Sequence, residues 1–407
     1  MISVEKLSFF LFEQLLLPLT IHDWGFSPSF STHINDFFPL HDPDKSGTTC
    51  GRCIWWHEEP INYHDLDQVR YIGEYHPDKL APYAPAEYAV TPNCPLHTGL
   101  YDIDFHIFAN SEISDTKRKY LKDWDIQDWY FFFHGFAALD WFKDFKYLNY
   151  SQYFYQPNKV FICLNHLITN NRSYRLYLLS QIKQRQLLEF GHISAPNLTK
   201  DTVKKELADS NSRLPLNAKK HILNNLMADA QPLILDEVDY NKASADLCES
   251  RFGHTALWHV VTETVFYDES LHLTEKIFKP IVSRRPFILV GAPGNLAYLK
   301  RYGFRTFDQW IDERYDEETD PEIRINLIAD QLAYLCTQDV TQMYNEMQEV
   351  LEYNHQHFYG KFREIIVDEL LWNFKKQVNW YNHDRIERYC LPIDRINFEQ
   401  VRNLMLS

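Results

Sequence analysis

Apolar and polar positions alternate along this chain with two different periods, and the change of period marks its elements. The run VFICLN, Val160 to Asn165, has almost no polar side chain, as a parallel strand covered on both faces requires. Ser173 to Leu188 then places Tyr174, Tyr177, Leu178, Gln181 and Arg185 at helical spacing. Gly191 reads as the end of that helix and His192 to Ser194 as the next strand. The same grammar returns later. A β-branched and aromatic run, Leu257 to Phe266, breaks at Tyr267 to Ser270, and a short helix starts at Thr274. The apolar strand Pro286 to Val290 follows. These two strand–helix–strand units predict an α/β fold with a parallel sheet.

The Thr274 helix is signed at its start. Thr274 is a good N-cap, and Glu275 falls in the first turn, where the helix dipole favours an acid. Ile277, Ile281 and Val282 share one face, with Lys276 and Lys279 pointing elsewhere, and Pro280 should kink the helix or cut it short. Between Pro196 and Ser244 the chain is polar, with helical pieces. Beyond Phe307 an acidic loop, Asp312 to Asp320, precedes Pro321, which suits a first helical position. Three helical segments are predicted from there: Pro321 to Leu335, Val340 to Tyr353, and Phe358 to Trp380.

Upstream of residue 155 the pattern is that of a separate α/β unit. Ile54-Trp55-Trp56 reads as a strand that runs through His57, Glu58 and Glu59 to Pro60. Tyr101 to Phe108 reads as a second, and Trp129 to Phe136 as a third that finishes in His134-Gly135. Polar residues that close such strands lie at the carboxyl edge of a sheet, where α/β proteins place their chemistry. Glu58, Glu59 and His134 are therefore the candidate bases, with Asp140 behind them.

Composition narrows the classes. A chain of 407 residues suits two domains, and its formal charge of −15 with no basic stripe argues against broad binding to a nucleic-acid backbone. The 25 Tyr, 28 Phe and 10 Trp fit stacked pockets for sugars or bases as well as ordinary packing. The N-terminal run MISVEKLSFFLFEQLLLPLTI is interrupted by Glu13 and Gln14 and falls short of a membrane span, so it reads as a buried element of a soluble, cytoplasmic protein. Seven cysteines form no disulfide framework. Cys50 with Cys53 and Cys94 with His97 are two pairs of zinc-ligand spacing, but they stand about forty residues apart, and Cys53 runs into an apolar strand. Free thiols and no bound cofactor are the expectation.

A helix start at the carboxyl end of a parallel strand collects anions, and Lys276 adds charge beside its amides. Glu275 would repel phosphate and suits ribose hydroxyls, so together the pair describes a nucleotide. Glu263, followed after eleven residues by Thr274-Glu275-Lys276 and then by Pro286-Phe287-Ile288 and Gly291, resembles the donor segment of GT-B glycosyltransferases, the α-1,3-fucosyltransferase family in particular. That family normally has Asn after its first acid, where this chain has Thr264.

The resemblance implies two Rossmann-like domains facing a cleft, with C-terminal helices crossing back. The layout is 1–155 for the acceptor side, 156–365 for the nucleotide-sugar side and 366–407 for the crossing helices. It implies a metal-independent transfer of sugar from a nucleotide-sugar to a hydroxyl of a glycan or other acceptor. The donor contacts would come from Glu263, Thr274, Glu275 and Lys276, and from an arginine at the first helix, Arg175 with Arg172 as its rival. Asn165 and Lys279 are counted with the same group. The general base would be an acid after a first-domain strand, Glu59 ahead of Glu58, because Pro60 should aim the residue before it off the sheet edge. Three other readings stay open. Asp102-Ile103-Asp104 fits the metal motif of the GT-A class, although alternation along its strand puts both acids on one wet face. A non-catalytic nucleotide- or sugar-binding protein would use the same donor pocket, and a nucleic-acid-modifying glycosyltransferase would differ only in acceptor.

Overall fold

A computed structural model describes residues 20–23, 52–57, 104–116, 118–119, 127–147, 158–235, 255–267, 269–384 and 397–406. The chain divides into two compact units, one built from 1–136 with 366–407 and the other from 137–365. Each contains its own four-stranded sheet.

In the first unit β1 (Thr20–Asp23), β2 (Arg52–His57), β3 (Asp104–Asn110) and β4 (Gln127–Tyr130) lie side by side in chain order, all parallel. Glu58, Glu59, Asp102, Cys50, Cys94 and His97 lie outside the described residues. Cys53 lies within β2, and Asp104 opens β3 at its amino end, the edge opposite the one where parallel sheets bind ligands. The run Trp129 to Phe136 is not one strand. β4 stops at Tyr130, and helix α1 (Phe133–Trp141) takes His134 as its second residue, buried at 6% exposure. Asp140, on the same helix, is ion-paired to Lys143 at 3.1 Å.

The second unit is an α/β layer fold. Its sheet runs β6 (Gly191–Ser194), β5 (Lys159–Leu164), β7 (Ala256–Thr262), β8 (Phe287–Val290), every pair parallel. All residues of β7 and β8 are buried, which is why their sequences carry no alternation. The crossovers are helical, as parallel neighbours require: α2 (Tyr174–Gln184) joins β5 to β6, and α3 (Lys200–Ala208) and α4 (Leu216–Asn225) lie between β6 and β7. A 3₁₀ turn, Glu275–Ile277, leads into α5 (Phe278–Val282) before β8, and α6 (Asn295–Arg301) follows it.

Three sequence expectations shift here. β7 ends at Thr262 and not at Phe266, because the Glu263 amide makes the last bond to the neighbouring strand, at the Val290 carbonyl, and the chain then leaves the sheet. Helix α2 ends well before Gly191. Gln186 takes a left-handed φ of 57°, and the Gln186 and Leu187 amides bond back to Lys183 and Ile182, so a glutamine performs the stop that glycine usually makes. Gly191 is needed for another reason: a Cβ there would sit 2.3 Å from the ring of Phe161 on the adjacent strand. Lys279 does not point to solvent. It is buried with the rest of α5, whose five residues leave no polar face.

The C-terminal helices follow the pattern closely. α7 (Pro321–Leu335) has Pro321 at its first turn and Asp320 as N-cap, accepting from the Glu322 and Ile323 amides. The second segment is split at Met347 into α8 (Val340–Glu346) and α9 (Gln348–His357). The third opens with a π turn, Phe358–Phe362, before α10 (Arg363–Asp384), and α11 (Phe398–Leu406) closes the described chain. No described helix is long and apolar enough to cross a membrane.

Candidate functional site

β5 leads outward to β6 on one side, whereas β7 leads to β8 on the other, so the strand order reverses between β5 and β7. Loops leaving the carboxyl ends of two such strands diverge and leave a crevice, the usual ligand position in open parallel sheets. Here those ends are Asn165-His166 and Glu263-Thr264.

Asn165 is buried and stitches three strands together. Its amide donates to the Ser194 carbonyl at the end of β6, its Oδ1 accepts from Thr262 Oγ1 at 2.9 Å, and its Nδ2 lies 3.2 Å from Cys163 Sγ. Burial pushes the Cys163 thiol up to about 11, so it stays protonated and inert.

Glu263 is a junction. Its carboxylate accepts from both the amide (3.2 Å) and the hydroxyl (2.5 Å) of Thr274, tying the start of the Thr-Glu-Lys turn to the end of β7 across eleven residues. Its carbonyl accepts from Tyr174 Oη at 2.5 Å and from Arg175 Nη2 at 3.3 Å. Burial raises its carboxyl above the ordinary range, and the nearby Lys276 and Thr274 work against that rise. The connection it anchors is held from both sides. Tyr174 stacks on Phe266 with centroids 4.1 Å apart, and the buried Arg324 guanidinium lies 4.1 Å from the Phe266 ring and donates to the Phe266 carbonyl.

Thr274 takes the extended conformation of an N-cap, and its hydroxyl accepts from the Lys276 amide. The Lys276 ammonium lies 3.1 Å from the same hydroxyl and 3.4 Å from Glu275 Oε1. Glu275 is buried, whereas the Lys276 side chain is 38% exposed, so the lysine is the member of the turn that an incoming anion would meet first.

Arg175 lies on the first turn of α2 at 3% exposure, with its guanidinium turned inward. Nη1 donates to the Leu167 carbonyl at 2.8 Å, Nη2 to the Thr262 carbonyl at 2.7 Å, and Nε to Tyr174 Oη at 3.3 Å. Arg172, just ahead of the Ser173 cap, remains half-exposed.

Three residues that the sequence reading passed over join this edge. His166 follows β5 directly and is exposed; partial burial and the charges of Arg175 and Arg172 hold its imidazole below the usual value, favouring the neutral ring at neutral pH. Tyr267 meets Ser173 at 2.9 Å between hydroxyls, and Arg213 lies 5.0 Å over its ring. A histidine directly after an apolar strand is a signal the sequence carries. The Tyr267–Arg213 contact is visible only once the loops are folded.

Another helix start on this edge, that of α6, is already filled. The Asp316 carboxylate accepts from the Leu296 and Ala297 amides of α6 at 2.8 and 2.9 Å, after Gly294 turns the chain with φ 80°. An external anion is thereby excluded from α6. The chain matches no protein-family model and no curated protein.

Proposed function

We propose that the second unit binds a nucleoside-diphosphate sugar at the crevice between β5 and β7, and that the chain is a metal-independent glycosyltransferase of the GT-B class. Its acceptor is a hydroxyl, on a glycan in the first instance. The observation that carries the reading is the Glu263–Thr274–Lys276 chain of contacts at the point where strand order reverses, because it fixes a partly exposed cation and a buried carboxylate side by side on a capped turn.

Such an arrangement has a definite chemical use. A leaving nucleoside diphosphate carries negative charge that must be stabilised as the sugar bond breaks, and a cation held in place beforehand does this without reorganisation. Lys276 is so held, and Arg172 lies before α2 on the other loop of the same crevice. Glu275, which would repel phosphate, suits a ribose diol. The acceptor hydroxyl needs a base, and the resemblance assigns that task to Glu59 or Glu58 of the first unit.

The test is binding of UDP, GDP, CDP and ADP by calorimetry. At least one should bind, and Lys276→Ala should weaken it by about 1.5–3 kcal/mol, the usual scale of a charge-assisted contact. Unchanged affinity in the variant would move the donor pocket elsewhere.

A further inference from the structure

Resting on that reading of the crevice, we infer that Arg175 is not the arginine that meets the diphosphate. It is a positioning residue that braces the rim of the site, and the anion-facing arginine is Arg172.

Arg175 has the wrong surroundings for a ligand contact. Its guanidinium is buried, and Nε, Nη1 and Nη2 all donate to acceptors of the protein itself. Those acceptors are the diagnostic feature. The Leu167 carbonyl belongs to the loop after β5, and the Thr262 and Glu263 carbonyls belong to the end of β7, so one planar fork spans the two strand ends that border the crevice. The Thr262 carbonyl ends its strand and is buried with Arg175 as its donor, and leaving such a carbonyl without one would cost more than the bond itself contributes. The fork geometry is what lets a single side chain satisfy three oxygens, and a lysine ammonium cannot reproduce that plane.

The brace acts on Lys276 through a traceable route. Arg175 and Tyr174 hold the Glu263 carbonyl, the Glu263 carboxylate holds Thr274, and the Thr274 hydroxyl holds the Lys276 ammonium. A lost fork would let residue 263 shift and would displace the cation three links away. Arg172 differs in place and exposure. It lies on the 3₁₀ turn Asn170–Arg172 directly ahead of α2, half-exposed, on the same rim. Asn170 takes a left-handed φ of 56°, and the Glu206 carboxylate accepts from its amide at 3.0 Å, so the turn that carries Arg172 is itself pinned.

The experiment compares the full-length chain with Arg172→Ala, Arg175→Lys and Arg175→Met. Binding of GDP, UDP, CDP and ADP is measured against the matching nucleosides, together with thermal melting and amide exchange. Arg172→Ala should melt like the parent and lose about tenfold or more of the preference for diphosphate over nucleoside, the scale of one charge-assisted contact. Arg175→Lys, which keeps the charge and loses the fork, should melt lower. It should exchange faster over 262–274, and it should weaken diphosphate and nucleoside alike, close to the behaviour of Arg175→Met. The inference is overturned if Arg175→Lys preserves melting and exchange while Arg175→Met loses only the diphosphate preference, or if Arg172→Ala leaves that preference intact. Failure of the parent chain to bind any of the four diphosphates would remove the nucleotide reading and the role of Arg172 with it. The brace would still stand or fall on exchange and melting, which need no ligand.

Discussion

Glu263 joins the end of β7 to the start of the Thr274 turn. An acid eleven residues ahead of Thr-Glu-Lys resembles a donor-binding carboxylate, and in the fold its two oxygens accept from the amide and the hydroxyl of Thr274. Its burial has a pH signature. The folded-state value lies above the unfolded 4.5, so the protonated carboxyl is favoured by folding, and this stabilisation is complete below about 4.5 and is lost as pH rises through the raised value. Glu263→Gln should flatten that part of the stability–pH curve, measured by denaturant melts between pH 4 and 8. A curve that keeps the parent's shape would place the titrating group elsewhere. His355 has the opposite sign. Burial and Arg284 press its imidazole from 6.5 down to about 4, so the neutral ring is the one the fold accepts. Its contribution is present above 6.5 and is lost on acidification toward 4, an effect of order 3 kcal/mol, and His355→Leu should remove that acid-side loss. Arg175 is the other lesson at this scale. The sequence places it correctly on the first helix turn but carries no information on which way a guanidinium turns, because the carbonyls that capture it come from positions 167, 262 and 263.

At the scale of elements, legibility followed the locality of the cause. Caps are local, and Thr274 and Pro321 start their turns where their neighbours in sequence imply. Helix ends were less readable, since the stop of α2 rests on Gln186 in a left-handed conformation while Gly191 serves the packing of Phe161. Aromatic runs were ambiguous for a related reason. Trp129 to Phe136 carries no period that separates strand from helix, and the chain divides it between β4 and α1. The Asp316 contact with α6 could not be read at all, because the acid lies some twenty residues beyond the amides it receives. Asp316→Ala should leave those buried amides without an acceptor and cost about 1–3 kcal/mol, read as a lowered melting temperature. Asp316→Asn, which keeps an acceptor oxygen, should recover part of the loss. If the alanine variant melts like the parent, the contact contributes nothing to stability.

For the molecule as a whole, the α/β class was legible from two apolar runs and their spacing, and the described residues form two parallel sheets, the second with helical crossovers. The residues group as 1–136 with 366–407 in one unit and 137–365 in the other. The net charge of −15 adds a constraint on the donor. A strongly anionic protein that binds an anionic nucleotide must do so through a few placed cations, so affinity should fall with added salt only as steeply as one or two ion contacts allow. Lys276 and Arg172 are those contacts on this account.

The proposed function requires a nucleotide-sugar at the carboxyl edge of β5 and β7. Its most direct test is amide exchange on the intact chain, with and without saturating UDP-, GDP-, CDP- and ADP-sugars. One of these donors should slow exchange in two segments together, 165–175 and 263–276, and the Lys276→Ala chain should lose that protection. Protection confined to other segments, or none with any donor, would contradict the account.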